Sequence, residues 1–379
     1  MKHCLFLRIL SPWGGYGGID KHILDWFKSV NYEKNKITLV ATKDAYSKRL
    51  KEYCLPVEVI ELPHFSSHNK LIRFYNFYDF FKKFHPDTIV FMRGSFNSFS
   101  LSDFLAGFIV TKGNIYAYEA VGAPVPLKSI SKLKLSILSN TIKGWLCKKV
   151  LTASNEVRER LTKWYYYPEY KTVPVFHGVD LNIFSPNVEI KQKMRKHFNI
   201  SENDIVIIST SRLCKEKCID RLIIAFDVLY KRYENIFLFL LGKGPLEKEL
   251  KELSVTKQSS NKIKFLGYQE DVSNFLKMSD IFVLPSEIEG LSISMLEAMA
   301  TGLITVATEV PGPKEIIKDR VNGFLVERSD EGILRGLIKA LDLNKKQRKE
   351  ISFDARRYVK ENFEIEKRVK QTLEIFGLD

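Results

Sequence analysis

The sequence lacks any apolar run of about 18 residues, the length that a membrane-crossing helix needs. Its first apolar stretch, residues 4–10, is interrupted by Arg8 and followed by Ser11-Pro12-Trp13, so it predicts a first β-strand and not a signal peptide. Only 5 cysteines occur. Because they are odd in number and scattered, they favour a reducing compartment. Cys214 and Cys218 stand four apart with no second cysteine pair beside them, which argues against a zinc site.

Acidic residues are scarce in the N-terminal half of the chain. Residues 1–180 hold 26 Lys and Arg against 15 Asp and Glu, whereas residues 181–379 hold 33 against 30. Residues 120–155 contain six lysines and no acid. This asymmetry indicates that one domain meets something anionic, either nucleic acid or a membrane surface. The alternative is a solvated lysine-rich face.

The overall composition is that of a folded protein with two domains. The 379 residues are 45% apolar and 27% charged, which is too apolar for disorder. Short, doubly apolar strands alternate with helical patterns, first over residues 4–176 and then over residues 205–341. Such alternation predicts two doubly wound, Rossmann-like parallel sheets in an α/β protein. The predicted domains are residues 1–178, joined by a C-terminal helix of about 358–379, and residues 179–357. A single last helix is predicted over about 351–376.

In doubly wound sheets the ligand lies beyond the carboxyl ends of the strands, so the loops after the strands are the candidate sites. With two such domains, a cleft between them is the expected place. After the first strand come four glycines in five positions, which allow a ligand to approach the backbone next to a helix N-terminus. This loop predicts a nearby phosphate, although its spacing differs from G-x-G-x-x-G. The glycines are Gly14, Gly15, Gly17 and Gly18.

Two basic residues follow the first strand of the second domain. Arg212 and Lys217 are five apart at a strand–helix junction. A guanidinium fork and an ammonium point charge together suit a diphosphate. Solvated surface charges remain the alternative from spacing alone.

Two glutamates bracket a predicted helix start near the end of the second sheet. Helix signals begin only after Gly290, so Glu289 lies in the preceding loop and Glu297 one to two turns into the helix. The helix N-terminus between them would point free N–H groups at an anion.

The stretch from Glu289 to Glu297 looks like the E-x7-E motif of family-4 retaining glycosyltransferases, which have the GT-B fold. The resemblance covers residues 150–360 closely and is loose over residues 1–150, where Gly17-Gly18-Ile19-Asp20 is similar to a G-G-x-E start. Other segments that resemble the family's motifs are His177-Gly178-Val179-Asp180 with Phe184, Ser211-Arg212-Leu213 with Lys217, residues 241–246, Phe265-Leu266-Gly267 with Asp271, residues 280–286, Gly312 with Glu315, and residues 322–326.

The resemblance implies a role for each matching residue. Arg212 and Lys217 would hold the diphosphate of the donor, and Glu297 would bind the ribose. Glu289 would contact the transferring sugar near the reacting centre. The same likeness implies no metal, because Arg and Lys would neutralise the leaving group, and no cofactor beyond a UDP- or GDP-linked sugar as substrate. Further donor-binding residues would be Gly290, Leu291, Ser292, Gly267 and Tyr268, together with Gly17 and Gly18.

One departure from the family concerns the first domain. Many relatives carry a histidine that faces the sugar, whereas the best-matching position here is Glu119. A glutamate could orient a hydroxyl or assist deprotonation of the acceptor, and Glu119 is therefore a candidate catalytic residue. Arg93, after another strand, is a weaker candidate. The alternative is a shifted alignment.

The basic half offers two candidate surfaces. Apolar residues near helical spacing in residues 128–149, with six lysines, predict contact with an anionic membrane. Residues 74–84 contain seven aromatics, and their spacing predicts mainly a buried helix.

The sequence thus predicts a retaining glycosyltransferase that moves a sugar from a nucleotide-sugar to a glycan or lipid-linked glycan, in cell-surface polysaccharide or glycolipid synthesis. We expect it in the cytoplasm, at the inner face of the membrane. The alternatives are a sugar-nucleotide epimerase of the same fold and a non-catalytic partner subunit. Nucleic-acid binding lacks a recognisable module.

Overall fold

The structure is a computed structural model, and it describes residues 1–9, 18–42, 46–62, 69–93, 98–120 and 130–379. The chain divides into two compact units, which we call unit 1 (residues 1–177 and 367–379) and unit 2 (residues 178–366). Among the described residues, no helix combines the length and apolar character needed to cross a membrane.

Unit 1 is built on a seven-stranded sheet whose strand order is β3-β2-β1-β4-β5-β6-β7. All neighbouring strands are parallel. Its strands are β1 (Lys2–Arg8), β2 (Asn35–Ala41), β3 (Glu58–Glu61), β4 (Thr88–Arg93), β5 (Ile115–Glu119), β6 (Lys149–Thr152) and β7 (Thr172–Pro174). The helices described between them are α1 (Gly18–Lys28), α2 (Ser47–Glu52), α3 (Lys70–Phe84), α4 (Leu101–Val110), α5 (Ile130–Leu146) and α6 (Asn155–Tyr165).

Unit 2 contains a six-stranded parallel sheet with the order β10-β9-β8-β11-β12-β13. Its strands are β8 (Ile205–Thr210), β9 (Ile236–Leu241), β10 (Ile263–Gly267), β11 (Ile281–Leu284), β12 (Ile304–Thr308) and β13 (Phe324–Val326). Its helices are α7 (Val188–His197), α8 (Ile219–Tyr230), α9 (Glu247–Val255), α10 (Ser273–Met278), α11 (Ile293–Thr301), α12 (Pro311–Ile316), α13 (Asp330–Leu341) and α14 (Lys345–Asn362).

The strands coincide with short apolar runs of the sequence. Because helices cover both faces of each sheet, both faces of a strand are buried and its residues are mostly apolar. All four residues of β11 are buried, and in β1 only Lys2 is not. The strand order reverses between β1 and β4 in unit 1 and between β8 and β11 in unit 2. These are the switch points at which ligands bind in doubly wound sheets. The predicted alternation of strands and helices is therefore confirmed in both units.

The predicted single last helix over about 351–376 is wrong. The chain forms α14, which ends at Asn362, and a separate helix α15 (Ile365–Phe376). Between them, Phe363 is buried and its carbonyl accepts a hydrogen bond from the Val179 N–H at 2.7 Å. The Ile365 N–H donates to the Val179 carbonyl at 3.2 Å. This pairing with the 178–179 segment takes over backbone groups that a continuous helix would use.

Helix α5 corrects part of the membrane prediction. Lys143 does not face outwards, because its side chain is buried and its Nζ donates to the Phe99 carbonyl at 2.8 Å and to Asn140 Oδ1 at 3.3 Å. Lys148 is exposed, and Lys149 is partly so. Lys128 lies outside the described residues, as do the side chains of Lys132 and Lys134.

The aromatic prediction for residues 74–84 is confirmed in its main part. Phe77, Phe80 and Phe81 on α3 are buried in the core of unit 1. Tyr75 is exposed.

Candidate functional site

The loops that follow β8 and β9 meet at the carboxyl edge of the sheet in unit 2. A Cβ added to Gly242 would lie 1.9 Å from the Ser211 carbonyl oxygen, and one added to Gly244 would lie 2.1 Å from that of Leu213. The Leu213 N–H donates to the Lys243 carbonyl at 3.0 Å. Only glycine permits two backbones to approach this closely. The glycines of residues 241–246 therefore support the loop that carries Arg212 and Lys217.

The loops after β11 and β12 are joined in the same way. A Cβ on Gly312 would lie 1.4 Å from the Gly290 carbonyl oxygen. Thr308, the last residue of β12, donates from Oγ1 to the Ser286 carbonyl at 2.6 Å. Glycine at position 312 thus fixes the backbone that leads into α11.

Lys217 and Glu289, which are 72 residues apart in sequence, are in direct contact. Lys217 lies on the 3₁₀ turn Lys215–Lys217, and its Nζ donates to Glu289 Oε2. The Ser286 hydroxyl donates to the same carboxylate oxygen at 3.3 Å. Both charged side chains are partly buried, at 21% and 13% exposure. The structure therefore brings together a cation and an acid that lie in separate motifs of the sequence.

Arg212 comes two residues after β8, and its side chain is exposed. It makes no ion pair with an acidic side chain in the part of the chain that the structure describes. Its neighbour Glu216 has a pKa below the usual value, mainly because its own backbone N–H donates to the carboxylate and next because of the Cys214 thiol. Arg212 is thus an exposed guanidinium, close enough to the Cys214 thiol and the Glu216 carboxylate to interact with both.

The start of α11 lies between the two glutamates, as predicted. Gly290 and Leu291 precede the helix, and the Ser292 hydroxyl caps it by accepting from the Met295 N–H at 3.4 Å. Glu297 is in the second turn and is buried. Glu289, which pairs with Lys217, is four residues before the first residue of α11. A helix start next to this pair favours an anion.

Gly267 ends β10, which pairs with β9, and Tyr268 follows it at the same edge of the sheet. Gly267 has φ +66°, a conformation that favours glycine, and its carbonyl accepts from the Gly242 N–H at 2.7 Å. Tyr268 is about half exposed. Both are positioned at the rim of the sheet edge that carries Arg212.

Glu119 ends β5 in unit 1 and is fully buried. Its Oε1 accepts a hydrogen bond from Arg93 Nη1, which also donates to the Tyr167 hydroxyl at 3.2 Å. Burial raises the pKa of Glu119, and the Arg93 charge opposes that shift. Lys143 lies close enough to act on the same carboxylate. This burial favours an ion-pairing role over contact with a substrate, and the catalytic role of Glu119 stays a prediction.

The glycine-rich loop of unit 1 is only partly covered by the structure. Gly17 lies outside the described residues, whereas Gly18 is the first residue of α1. Arg8, at the end of β1, donates from Nε to Asp20 Oδ1 at 2.9 Å, and the Tyr46 hydroxyl donates to the same oxygen. This buried cluster ties the end of β1 to the first turn of α1.

Comparison with known proteins places the chain in a family. The model of the family described as Glycosyl transferases group 1 matches residues 190–358. An uncharacterized glycosyltransferase of Methanocaldococcus jannaschii is 30% identical over 381 residues, which cover 95% of this chain and 94% of that protein. The chain belongs to the group 1 glycosyltransferases.

A second relative carries a specific name. The Escherichia coli protein named UDP-Gal:alpha-D-GlcNAc-diphosphoundecaprenol alpha-1,3-galactosyltransferase is 29% identical over 234 residues, covering 60% of this chain and 59% of that protein. The match to the first curated relatives thus spans about 60% of their length.

Two solved structures can be superposed on nearly the whole length of this glycosyltransferase. HepE of Anabaena in complex with UDP and glucose has a TM-score of 0.82 and 19% identity, with 100% of both chains covered. A glycosyltransferase from Rickettsia africae has a TM-score of 0.80 and 22% identity, with 99% of this chain and 98% of that one covered. At these identities the likeness concerns the fold, and it confirms the predicted GT-B class with two doubly wound parallel sheets.

The sequence of this group 1 glycosyltransferase carries no signal for the contacts that hold the loops together. Glu216 and Glu287 are joined by a backbone hydrogen bond of 2.8 Å, and Arg221 pairs with Glu287. These positions carry no glycine signal and no spacing that would mark them. Only the fold brings them together. Among the described residues, no cluster of histidine, cysteine and acidic side chains could hold a metal ion.

Proposed function

We propose that the protein transfers a sugar from a nucleoside diphosphate sugar to an acceptor and retains the anomeric configuration. The contact between Lys217 and Glu289 at the start of α11, with Arg212 on the adjoining loop, carries this proposal. The Lys217 ammonium lies beside a carboxylate that precedes a helix N-terminus, and Arg212 is five residues earlier on the same loop as Lys217. A diphosphate leaving group bound there would meet a positive potential.

Each residue has a distinct role in the proposed chemistry. Arg212 and Lys217 neutralise the charge that develops on the leaving diphosphate, so that no divalent metal is required. Glu289 contacts the transferring sugar. Glu297 accepts hydrogen bonds from the ribose, and the N–H groups of residues 290–292 line the phosphates.

A panel of UDP-, GDP- and ADP-sugars in a thermal-shift assay tests donor binding. A donor at a hundred times its dissociation constant adds about 2.7 kcal/mol of stability, and we expect this with UDP- or GDP-sugars. Coupling constants of the anomeric proton in the product report retention. A panel in which no nucleotide-sugar stabilises the protein would contradict the proposal.

The same donors separate the two alternatives. An epimerase would convert a nucleotide-sugar to its epimer without an acceptor, whereas a transferase releases nucleoside diphosphate. A non-catalytic subunit would do neither while still binding the donor. The Lys217–Glu289 contact favours the transferase.

We further propose that the acceptor is a lipid-linked glycan at the cytoplasmic face of the membrane, in cell-surface polysaccharide or glycolipid synthesis. The E. coli relative is named for a diphosphoundecaprenol-linked acceptor. In this chain Leu135, Leu138 and Trp145 on α5 are all more than half exposed, and Lys148 follows them. We call these three apolar residues the α5 face. Apolar side chains beside lysines fit an anionic membrane surface.

Co-sedimentation with vesicles of anionic and of zwitterionic lipid tests this surface. We expect the variant with Leu135, Leu138 and Trp145 each changed to Ser to pellet less with anionic vesicles than the wild type. Phe353→Ser, which removes an exposed aromatic from α14 in unit 2, is the matched control. Equal pelleting of the triple variant and the control would show that the α5 face is not the contact.

A further inference from the structure

Two loops of unit 2 are held in register by their backbones. We call residues 211–218, after β8, the basic loop, and residues 285–292, after β11, the acidic loop. The Glu287 N–H donates to the Glu216 carbonyl at 2.8 Å. Glu216 adjoins Lys217, and Glu287 is two residues before Glu289. This single bond therefore sets how Lys217 and Glu289 face each other.

The side chain of Arg221, in the first turn of α8, supports the acidic loop next to that bond. Its Nη1 donates to Glu287 Oε2 at 2.8 Å and to the Arg328 carbonyl at 3.3 Å. Its Nε lies 3.5 Å from Asp330 Oδ1 at the start of α13. The guanidinium thus connects the acidic loop to α8 and to residues 328–330 at the start of α13, a task suited to its rigid fork.

The acidic loop is anchored differently on its other side. There Thr308 donates to the Ser286 carbonyl, and the Gly312 N–H lies 3.5 Å from the Glu289 carbonyl. These contacts fix the loop against β12 and α12 but not against the basic loop. On the side of α8 the acidic loop is held by the Glu216–Glu287 backbone bond, by the Arg221–Glu287 pair and by the Lys217–Glu289 contact itself, and Arg328 Nη1 lies 3.9 Å from Glu287 Oε1.

We propose that Arg221 is a positioning residue for sugar transfer, and that it acts through Glu287 to hold Glu289 opposite Lys217. This inference rests on the proposed function. Arg221 is not assigned a contact with the donor, so its loss should disturb the geometry of the reacting groups and leave the diphosphate-binding cations in place. A displacement of about 1 Å can lower a rate by up to a hundredfold.

The same pair should matter little for folding. Arg221 and Glu287 are 29% and 41% exposed, and exposed ion pairs add little to stability. A loss of turnover without a loss of stability would therefore separate positioning from a general structural role.

The test compares Arg221→Ala, Arg221→Lys and Glu287→Gln with Arg357→Ala. The control removes an arginine that pairs with Asp354 on α14 at 2.7 Å and is no part of either loop. Turnover is measured as UDP release from UDP-glucose, UDP-galactose and UDP-N-acetylglucosamine, and UDP affinity by calorimetry. Amide hydrogen exchange of the peptide 285–292 provides a readout that needs no activity.

We expect Arg221→Ala and Glu287→Gln to lower kcat about ten- to a hundredfold, with UDP affinity reduced by no more than about twofold, because any release of Lys217 from Glu289 raises that affinity. The double variant should be no worse than either single one, and Arg221→Lys should recover part of kcat. Amide hydrogen exchange in the peptide 285–292 should be faster in Arg221→Ala than in wild type and unchanged in the control.

Three results would overturn the inference. One is a kcat for Arg221→Ala equal to that of the control, and another is unchanged exchange of the acidic loop. The third is UDP affinity that falls in step with kcat, because it would make Arg221 a donor-binding residue. A wild type that neither binds nor turns over any nucleotide-sugar contradicts the proposed function instead, and the exchange experiment still tests the positioning.

Discussion

The Lys217–Glu289 contact leads to an unusual expectation for Glu289→Gln. Lys217 cannot give its full charge to a donor diphosphate while Glu289 holds its Nζ, and the Glu289 carboxylate also repels an incoming phosphate. Removing that negative charge should strengthen the binding of UDP, which lacks the transferring sugar that Glu289 is proposed to contact. The same change should lower turnover of the complete nucleotide-sugar.

The exposure of the two side chains sets the size of the effect. A hydrogen bond to a charged group contributes about 1.5–3 kcal/mol when it is well shielded, and an exposed ion pair about 0–1 kcal/mol. At 21% and 13% exposure the contact lies between these limits, so we take about 1 kcal/mol. Since about 1.4 kcal/mol corresponds to a tenfold change in affinity, the Kd for UDP should fall about fivefold.

Calorimetry with UDP on four proteins measures this effect: wild type, Glu289→Gln, Lys217→Met and the double variant. Lys217→Met should bind UDP more weakly than wild type. In wild type, the Glu289 carboxylate and the UDP diphosphate compete for Lys217. Adding Glu289→Gln to Lys217→Met should therefore raise UDP affinity less than Glu289→Gln raises it in the wild-type background. Weaker binding of UDP by Glu289→Gln would refute the reasoning, as would an equal gain with and without Lys217.

The remaining predictions concern Glu297, Arg212 and Lys143. Glu297→Ala should weaken nucleotide-sugar binding by about 1.5–3 kcal/mol, and unchanged affinity of a folded variant in calorimetry would exclude a ribose contact. Arg212→Ala should lower both turnover and donor affinity, and activity of the wild type should persist in EDTA. Loss of activity in EDTA that Mg²⁺ or Mn²⁺ restores would contradict the metal-independent scheme. Burial, with a further contribution from the Arg93 charge, lowers the pKa of Lys143 to about 7. Because the unfolded chain holds this proton up to its ordinary pKa of about 10.4, the free energy of unfolding should gain from this group as pH rises from about 7 to 10. The free energy of unfolding, measured by denaturant titration, should therefore rise more steeply with pH in wild type than in Lys143→Met. Parallel pH profiles of the two proteins would refute the assignment.

The sequence was sufficient for the sheets and for the strand ends that carry the candidate site. A short, wholly apolar run such as the one in β11 predicts a strand that is buried on both faces, and such a strand requires helices on both sides of the sheet. Glycine positions were also informative. Gly312 and Gly242 fill places where any Cβ would collide with a backbone carbonyl, so their spacing reflects loops that touch.

The pairing of particular side chains was beyond the sequence. Nothing in the spacing of Lys217, Arg221, Glu287 and Glu289 indicates that the lysine pairs with one glutamate and the arginine with the other. That choice depends on the Glu216–Glu287 backbone bond, which forms only when β8 and β11 lie side by side in the sheet. The interpretation of Arg212 and Lys217 as one diphosphate clamp treats them as equals. In the structure Arg212 is exposed, whereas Lys217 is engaged by an acid.

The burial of Lys143 shows that the composition of a segment does not predict whether a particular residue is exposed. Six lysines without an acid indicate a surface, and most lysines are indeed exposed because burial of the charge is costly. In unit 1, however, Glu119 and Arg93 are fully buried at the ends of neighbouring strands, and the Lys143 ammonium adds a second cation to that interior. Its hydrogen bonds to the Phe99 carbonyl and to Asn140 compensate only part of the lost solvation, which is why its pKa falls. The helix that carries the exposed α5 face is thus anchored from its opposite side by a group that titrates near neutral pH. Any pH dependence of the proposed membrane binding should therefore be sought in Lys143 before it is sought in the exposed lysines.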